Sequence, residues 1–332
     1  MADLSSKYLG LDLRNPILAA SSGLTGKYDH IVELENHGVG AIVLKSLFEE
    51  DIQADLRKQQ SNVITSSSIY PEVFDAFSYG EMEDLSSKYV NLIKDVKKKL
   101  TVPVIASVNC VSSNEWTEYA KKIQDAGADA LELNMFLMPS DFNRTSAENE
   151  KVYFEVIEKV KKSITIPLAL KISYHFTNLA NIIKRMDNAG IDGLVLFNRY
   201  YNPDIDIDNL KVIPGALYSQ PTDISMVLRW IAIVANRINC SLAATTGIHD
   251  GKSVIKMLLA GADVVQVAST IYYHEYPVVQ EMIKFVENWM EEHEFESIDE
   301  FRGMLAQSEL GNSAAYERVQ FMKHFAGKRS LD

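Results

Sequence analysis

Two lysines and three asparagines stand where short apolar runs stop: Lys45, Asn109, Asn134, Lys171 and Asn198. Small and hydroxyl residues occupy the same kind of position, namely Ser21 and Ser22, Ser46, Thr245 and Thr246, and Ser269. A lysine at such a place suits a developing anion, and an asparagine offers both donor and acceptor to a planar, amide-like ligand. Any one of them alone would be an ordinary solvated loop residue. Five on separate runs converge on one ligand only if the runs are parallel strands that share an end.

A second pattern lies late in the chain. The runs Ser241–Ala244 and Val264–Val267 stop at Thr245-Thr-Gly-Ile-His-Asp-Gly251 and at Ala268-Ser-Thr-Ile271. Small residues let a backbone approach a ligand closely, and the first N–H groups of a following helix are unpaired donors. Two such loops side by side form a phosphate cup, as after strands seven and eight of a (β/α)8 barrel; the same residues also suit ordinary tight turns. A ligand with a phosphate at one end and a wide polar head at the other is FMN. Its phosphate would sit at Thr246, Gly247, Ala268 and Ser269, and its isoalloxazine would reach Lys45 and Lys171. Two other classes stay open at this point. One is an aldolase with Lys45 or Lys171 as Schiff base to a sugar phosphate; the other is a non-catalytic phosphate-binding barrel.

The elements that must position these residues follow from an internal echo. His37-Gly-Val-Gly-Ala-Ile-Val-Leu44, Ala126-Gly-Ala-Asp-Ala-Leu-Glu-Leu133, Ala189-Gly-Ile-Asp-Gly-Leu-Val-Leu196 and Ala260-Gly-Ala-Asp-Val-Val-Gln-Val267 each read as a helix end, a short loop and a buried strand. Four more runs lie between them: Asn15–Ala20, Val102–Ala106, Ile166–Leu170 and Cys240–Ala244. Amphipathic stretches over Asp29–Asn36, Met82–Lys99, Glu115–Asp125, Ala147–Lys162, Leu179–Asn188, Thr222–Arg237, Gly251–Leu259 and Pro277–Glu292 predict the helices. Strand and helix alternating eight times predicts an α/β fold, a single-domain (β/α)8 TIM barrel. The barrel would run over residues 1–307, with a long loop at 47–80 after the second strand and a C-terminal helical extension at 308–332. Long loops on the catalytic face are usually lids or substrate walls.

Composition narrows the partners. A net charge of −12 disfavours nucleic acid and anionic membrane surfaces. The 2 cysteines, Cys110 and Cys240, form no metal-binding spacing and the 7 histidines are scattered, so no metal or Fe–S cluster is expected. The first residues have no apolar signal region, and a cytoplasmic location fits.

From about Leu11 to Leu305 the residues resemble the dihydroorotate dehydrogenase family. Asn15-Pro-Ile-Leu-Ala-Ala-Ser-Ser-Gly23 is similar to its NP-x-x-x-ASG entry, whose Ala and Ser backbone, here Ala20 and Ser21, touches the flavin. Lys45-Ser46 resembles its Lys-Thr/Ser pair, Asn109 its third-strand Asn, and Glu132-Leu-Asn134 the ELN that opens the catalytic loop. Lys171 matches the flavin-facing lysine and Asn198 the Asn after the sixth strand. Ile213-Pro-Gly-Ala-Leu-Tyr-Ser-Gln-Pro221, with Gly215, resembles a worn glycine-rich loop; Thr245-Thr-Gly-Ile248 and Gln266-Val-Ala-Ser269 stand for the last two phosphate loops. The resemblance implies FMN held by these residues, with Lys45, Asn134 and Asn198 also on the substrate. It also implies a hydride passing to flavin N5 as dihydroorotate becomes orotate in pyrimidine biosynthesis. A homodimer, and a soluble electron acceptor or a separate electron-transfer subunit, go with it; a membrane-bound form does not.

The departures fall in one place. Where the family carries a Cys or Ser that removes the C5 proton, Asn134-Met-Phe-Leu-Met-Pro-Ser140 puts Leu137, which cannot take a proton. Ser140, Cys110, Tyr174 and His175 are the substitute bases within reach in sequence. Thr65-Ser-Ser-Ser-Ile-Tyr-Pro71 also replaces the family's substrate segment. The flavin half is kept and the substrate half rebuilt, so a different small-molecule substrate is the second expectation.

Overall fold

Short runs with no polar alternation pair as strands buried on both faces. A computed structural model describes residues 2–49, 85–110, 117–199, 203–311 and 314–317. An antiparallel hairpin of β1 (Ser6–Tyr8) and β2 (Leu11–Leu13) precedes the barrel. The barrel strands are β3 (Ile17–Ala19), β4 (Ala41–Val43), β6 (Val104–Cys110), β7 (Ala130–Met135), β8 (Leu168–Ile172), β9 (Gly193–Leu196), β12 (Ser241–Thr245) and β13 (Val264–Val267). Each pairs in parallel with the next, and β13 returns to β3, which closes the ring. The (β/α)8 expectation holds.

Between the strands run α1 (Tyr28–Asn36), α2 (Leu85–Lys99), α3 (Thr117–Asp125), α4 (Ser146–Ser163), α5 (Leu179–Asn188), α6 (Ile224–Val234) and α7 (Gly251–Ala260). The six-residue α8 (Ser269–His274) and then α9 (Pro277–Glu292) follow the last strand. Local sequence sets their ends. Thr145 and Glu148 form a capping box at the start of α4, Asp250 accepts from the Ser253 N–H at 2.7 Å at the start of α7, and Gly261 ends α7 at φ 109°.

The echoed Asp has a structural use that spacing alone does not reveal. Asp129 accepts from the Val104 N–H at 2.7 Å, Asp192 from Leu168 at 2.8 Å, and Asp263 from Leu242 at 2.7 Å. Each carboxylate thereby ties the foot of its own strand to the foot of the preceding one. The first echo has Gly40 instead, because a Cβ there would lie 2.1 Å from the Asn15 carbonyl oxygen. Below the ring, Tyr8 and Leu9 from the hairpin plug the barrel against Leu18, Val43, Ile105 and Val195. Gly193 makes room for that plug, since a Cβ there would come within 2.4 Å of Leu9.

Several boundaries move. The helix expected over Thr222–Arg237 is a 3-10 turn at Pro221–Asp223 followed by α6, which stops at Val234 because Ala235 turns extended and Asn236 takes φ 61°. The run read as a worn glycine-rich loop is partly strand. β10 (Pro203–Asp206) and β11 (Lys211–Pro214) form a hairpin inserted after β9, where Asp204-Ile-Asp-Ile-Asp208 alternates at the strand period. The loop 47–80 begins with a short strand, β5 (Leu47–Phe48), paired with β6; its residues from 50 on, including Thr65–Pro71, lie outside the described residues. Of the extension at 308–332, α10 (Ala314–Glu317) is described, held by the Tyr316 hydroxyl donating to the Leu305 carbonyl at 2.7 Å. No described helix is long and apolar enough to cross a membrane.

Candidate functional site

Parallel pairing in register brings the polar strand ends to one rim: Asn109 stands opposite Asn134, and Asn134 opposite Lys171. The Asn198 amide donates to the Asn134 side-chain oxygen across the rim. Ser21, Ser46 and Ser107 form a chain of hydroxyls at 3.0 and 2.8 Å, and the Ser46 N–H donates to Ser21 Oγ at 3.0 Å. Lys45 is exposed, its stem lying over Gly26, where a Cβ would come within 3.0 Å of Lys45 Cδ.

One cavity of about 140 Å³ joins the two patterns read from the sequence. It is lined at one end by Thr246, Gly247, Ala268, Ser269 and Ser219, and at the other by Lys171, Asn198, Ala20 and Ser21. At the Thr246-Gly247 end the turn after β12 packs closely on the start of α6. Gly247 sits at φ 77°, and a Cβ there would lie 2.2 Å from the Ile224 backbone nitrogen. Thr246 takes φ 81°, a conformation β-branched residues rarely adopt, and its hydroxyl donates to the Phe197 carbonyl at 3.3 Å. Oxygens cluster there too: the Ser219 N–H donates to Ser269 Oγ at 3.0 Å, and Ser219 Oγ is 3.1 Å from His249 Nε2. A tight turn with hydroxyls gathered at it fits a phosphate.

Gly215 follows β11 and lies outside this lining; Ser219, four residues further along the same loop, lines it instead. Residue type in Ile213–Pro221 points to the glycine, and only the hairpin's path decides which of the two residues lines the cavity. His249 was likewise not singled out. Burial pushes its imidazole below the ordinary value, with His274 adding to the effect and Ser219, Asp250 and Asp223 opposing it. A lowered folded value means that the folded chain takes up this proton later than the unfolded one. The associated stability is therefore fully present above about pH 6.5 and lost as pH falls through the folded value. His249→Gln is expected to flatten the fall in thermal midpoint between pH 7 and pH 5, read by calorimetry; an unchanged slope would count against that account.

Lys171 is held from below. Its ammonium donates to Gln266 Oε1 at 3.2 Å and stands 3.7 Å from Glu132 Oε1, while the Gln266 amide donates to Glu132 Oε2 at 2.6 Å. All three are buried within the barrel mouth.

A second space adjoins this one. An adjoining chamber of about 550 Å³ shares Phe197, Asn198, Arg199 and Thr246 with the cavity, and Met138, Tyr174, His175 and Met226 also line it. Arg199 reaches the carbonyls of Ala216, Leu217 and Tyr218 at 2.7–3.0 Å, which braces the loop that delivers Ser219. Leu137 is half-buried, and its N–H donates to the Tyr153 hydroxyl at 3.3 Å. Burial pushes the Tyr153 phenol up to about 12, so it stays protonated. Ser140 is exposed and lines neither space. Cys110 is fully buried, and burial pushes its thiol well above the ordinary value, with Glu49 adding to it. Of the substitute bases, only Tyr174 and His175 face the chamber; the His175 Nδ1 is buried without a hydrogen-bond partner.

Comparison with known proteins identifies the family. A family model described as dihydroorotate dehydrogenase matches residues 3–290. Among curated relatives, the protein of Thermoplasma volcanium named dihydroorotate dehydrogenase B (NAD(+)), catalytic subunit, is 25% identical over 92% of this chain and 99% of its own length. The proteins of the same name from Methanocaldococcus jannaschii and Desulforamulus reducens are 23% and 27% identical, each over 91% of this chain and over 97% and 98% of their own lengths.

Proposed function

Because the chain belongs to the dihydroorotate dehydrogenase family, we propose that it is an FMN-dependent oxidoreductase acting on a carbon–carbon single bond beside a carbonyl. The observation that carries the reading is the continuous cavity from the tight, hydroxyl-lined turn at Thr246-Gly247 to the buried Lys171. FMN, when bound, supplies an acceptor for a hydride. Thr246, Gly247, Ser219, Ala268 and Ser269 would hold its phosphate, and Ala20 and Ser21 would line its path. Lys171 presents positive charge where negative charge builds during reduction. The aldolase reading loses ground to the setting of Lys171, whose ammonium is paired with Glu132 and Gln266 rather than held alone among apolar groups.

Lys45, Asn134 and Asn198 would bind a planar, carbonyl-bearing substrate. Dihydroorotate is the family's substrate. A second reading, another substrate of the same kind, is favoured by Leu137 at the base position and by Ser140 and Cys110 lying away from the cavity. The relatives named above are catalytic subunits, and an electron-transfer subunit as partner goes with the proposal. The purified protein is expected to be yellow and to release FMN on denaturation; colourless protein that takes up no FMN would overturn the cofactor. Anaerobic addition of dihydroorotate then separates the two substrates. Bleaching supports the first reading, and persistent yellow with full FMN supports the second.

A further inference from the structure

The buried group beneath the cofactor cavity that no part of the reaction yet uses is Glu132. It projects from the middle of β7 and is 1% exposed. Its Oε2 accepts from Gln266, and its Oε1 has no hydrogen-bond partner although Lys171 Nζ lies 3.7 Å away. A carboxylate this buried is costly unless a nearby cation compensates it. Gln266, equally buried on β13, links the two charges: its NH2 faces the carboxylate and its oxygen faces the ammonium. The orientation of the amide follows from its neighbours, since a carboxylate only accepts and an ammonium only donates.

Three strands therefore contribute to one device. β7 supplies the anion, β13 the bridge, and β8 the cation that lines the cavity. An ammonium has three donors. One is spent on Gln266, and the long separation from Glu132 leaves the remaining two free to turn toward the cavity. A shorter ion pair would turn Lys171 down into the barrel; a missing carboxylate would leave its charge at full strength at the mouth. The 3.7 Å separation, set by strand register, holds the lysine between those extremes.

We propose that Glu132 is a positioning residue that aims and attenuates the Lys171 ammonium through Gln266, and so sets the reduction potential of the bound flavin. The inference rests on the FMN reading above. Negative charge gathered during reduction is stabilised by Lys171, and Glu132 withholds part of that stabilisation by drawing the ammonium down and offsetting its charge. Removing the carboxylate's charge while keeping its shape therefore favours the reduced form.

The experiment is a potentiometric titration of the FMN-loaded full-length protein. Glu132→Gln is expected to favour the reduced flavin at least tenfold, about +30 mV for a two-electron couple. In a Lys171→Met background the same change should yield less than half that shift, because the route through the lysine is gone. An unchanged potential in fully loaded Glu132→Gln overturns the proposal. So does an equal shift in both backgrounds, which would mean that Glu132 acts by its own charge alone. If Glu132→Gln does not fold, Glu132→Asp draws the charge back by one methylene: a smaller positive shift supports the proposal, and no shift overturns it. Parent protein that takes up no FMN defeats the cofactor reading itself, an outcome distinct from all of these.

Discussion

Replacing Gly247 with alanine is expected to empty the cofactor cup and to destabilise the barrel. The added Cβ would fall 2.2 Å from the Ile224 nitrogen and 2.8 Å from its Cα, at the first residue of α6. Those atoms are backbone, so no rotamer change relieves the clash. The chain must either push α6 outward or flatten the turn after β12. The φ of 77° adds its own cost, about 1–2 kcal/mol for an L-residue in the left-handed region. Overpacking of a close contact adds about 1–3 kcal/mol. The sum, about 2–5 kcal/mol, should appear as an earlier denaturant midpoint in protein stripped of cofactor. FMN affinity should fall more than tenfold, because the turn that brings Thr246 into the cavity lining would move off its position. A Gly247→Ala protein with parental stability and parental FMN affinity would show that the narrow turn is not what holds the phosphate.

The second large effect is expected at Lys171. Lys171→Met keeps the length and apolar stem of the side chain and removes its charge, leaving Glu132 1% exposed with Gln266 as its hydrogen-bond partner. Breaking one side of a buried ion pair costs about 3–5 kcal/mol, most of it the isolated charge. That loss should appear as an earlier denaturant midpoint in Lys171→Met protein than in the parent. Catalytically, losing a preorganised donor at developing charge lowers rates about 10²–10³-fold. Flavin reduction followed by stopped flow should slow by that factor with any substrate that bleaches the parent. A Lys171→Met enzyme that reduces its flavin within tenfold of the parental rate would remove the lysine from the chemistry. The aldolase reading predicts something different, a complete loss of borohydride trapping with no change in any flavin band.

Most of the barrel was legible because burial on both faces leaves a plain mark. Runs such as Ala169-Leu170 and Val264-Val265 carry no polar alternation, and the Gly of each Ala-Gly echo marks a helix end. The strand-end residues were legible for the same reason: Lys45, Asn134, Lys171 and Asn198 interrupt apolar runs at the one place where a parallel sheet exposes its chain to a ligand. The hairpin at Pro203–Pro214 carries the strand period in Asp204-Ile-Asp-Ile-Asp208 but no mark of what it packs against. Its Ile205, Ile207, Leu210 and Val212 are exposed, so their apolar character does not report burial. The left-handed Thr246 was missed because its conformation is imposed by the chain around it, against its own preference.

By itself, then, the sequence determined the eightfold alternation and the rim on which chemistry is possible, while Leu137 at the base position is what the family resemblance implies. The first two depend on residue type and short spacing, which propensity and burial translate directly. Only the tertiary structure decided that Ser219 rather than Gly215 reaches the cup, that Ser140 and Cys110 stand away from it, and that Glu132, Gln266 and Lys171 meet under it. Those three residues are separated by as many as 134 positions. What brings them within hydrogen-bond reach is the register of parallel strands closing into a ring, a property of the whole barrel that no local segment encodes.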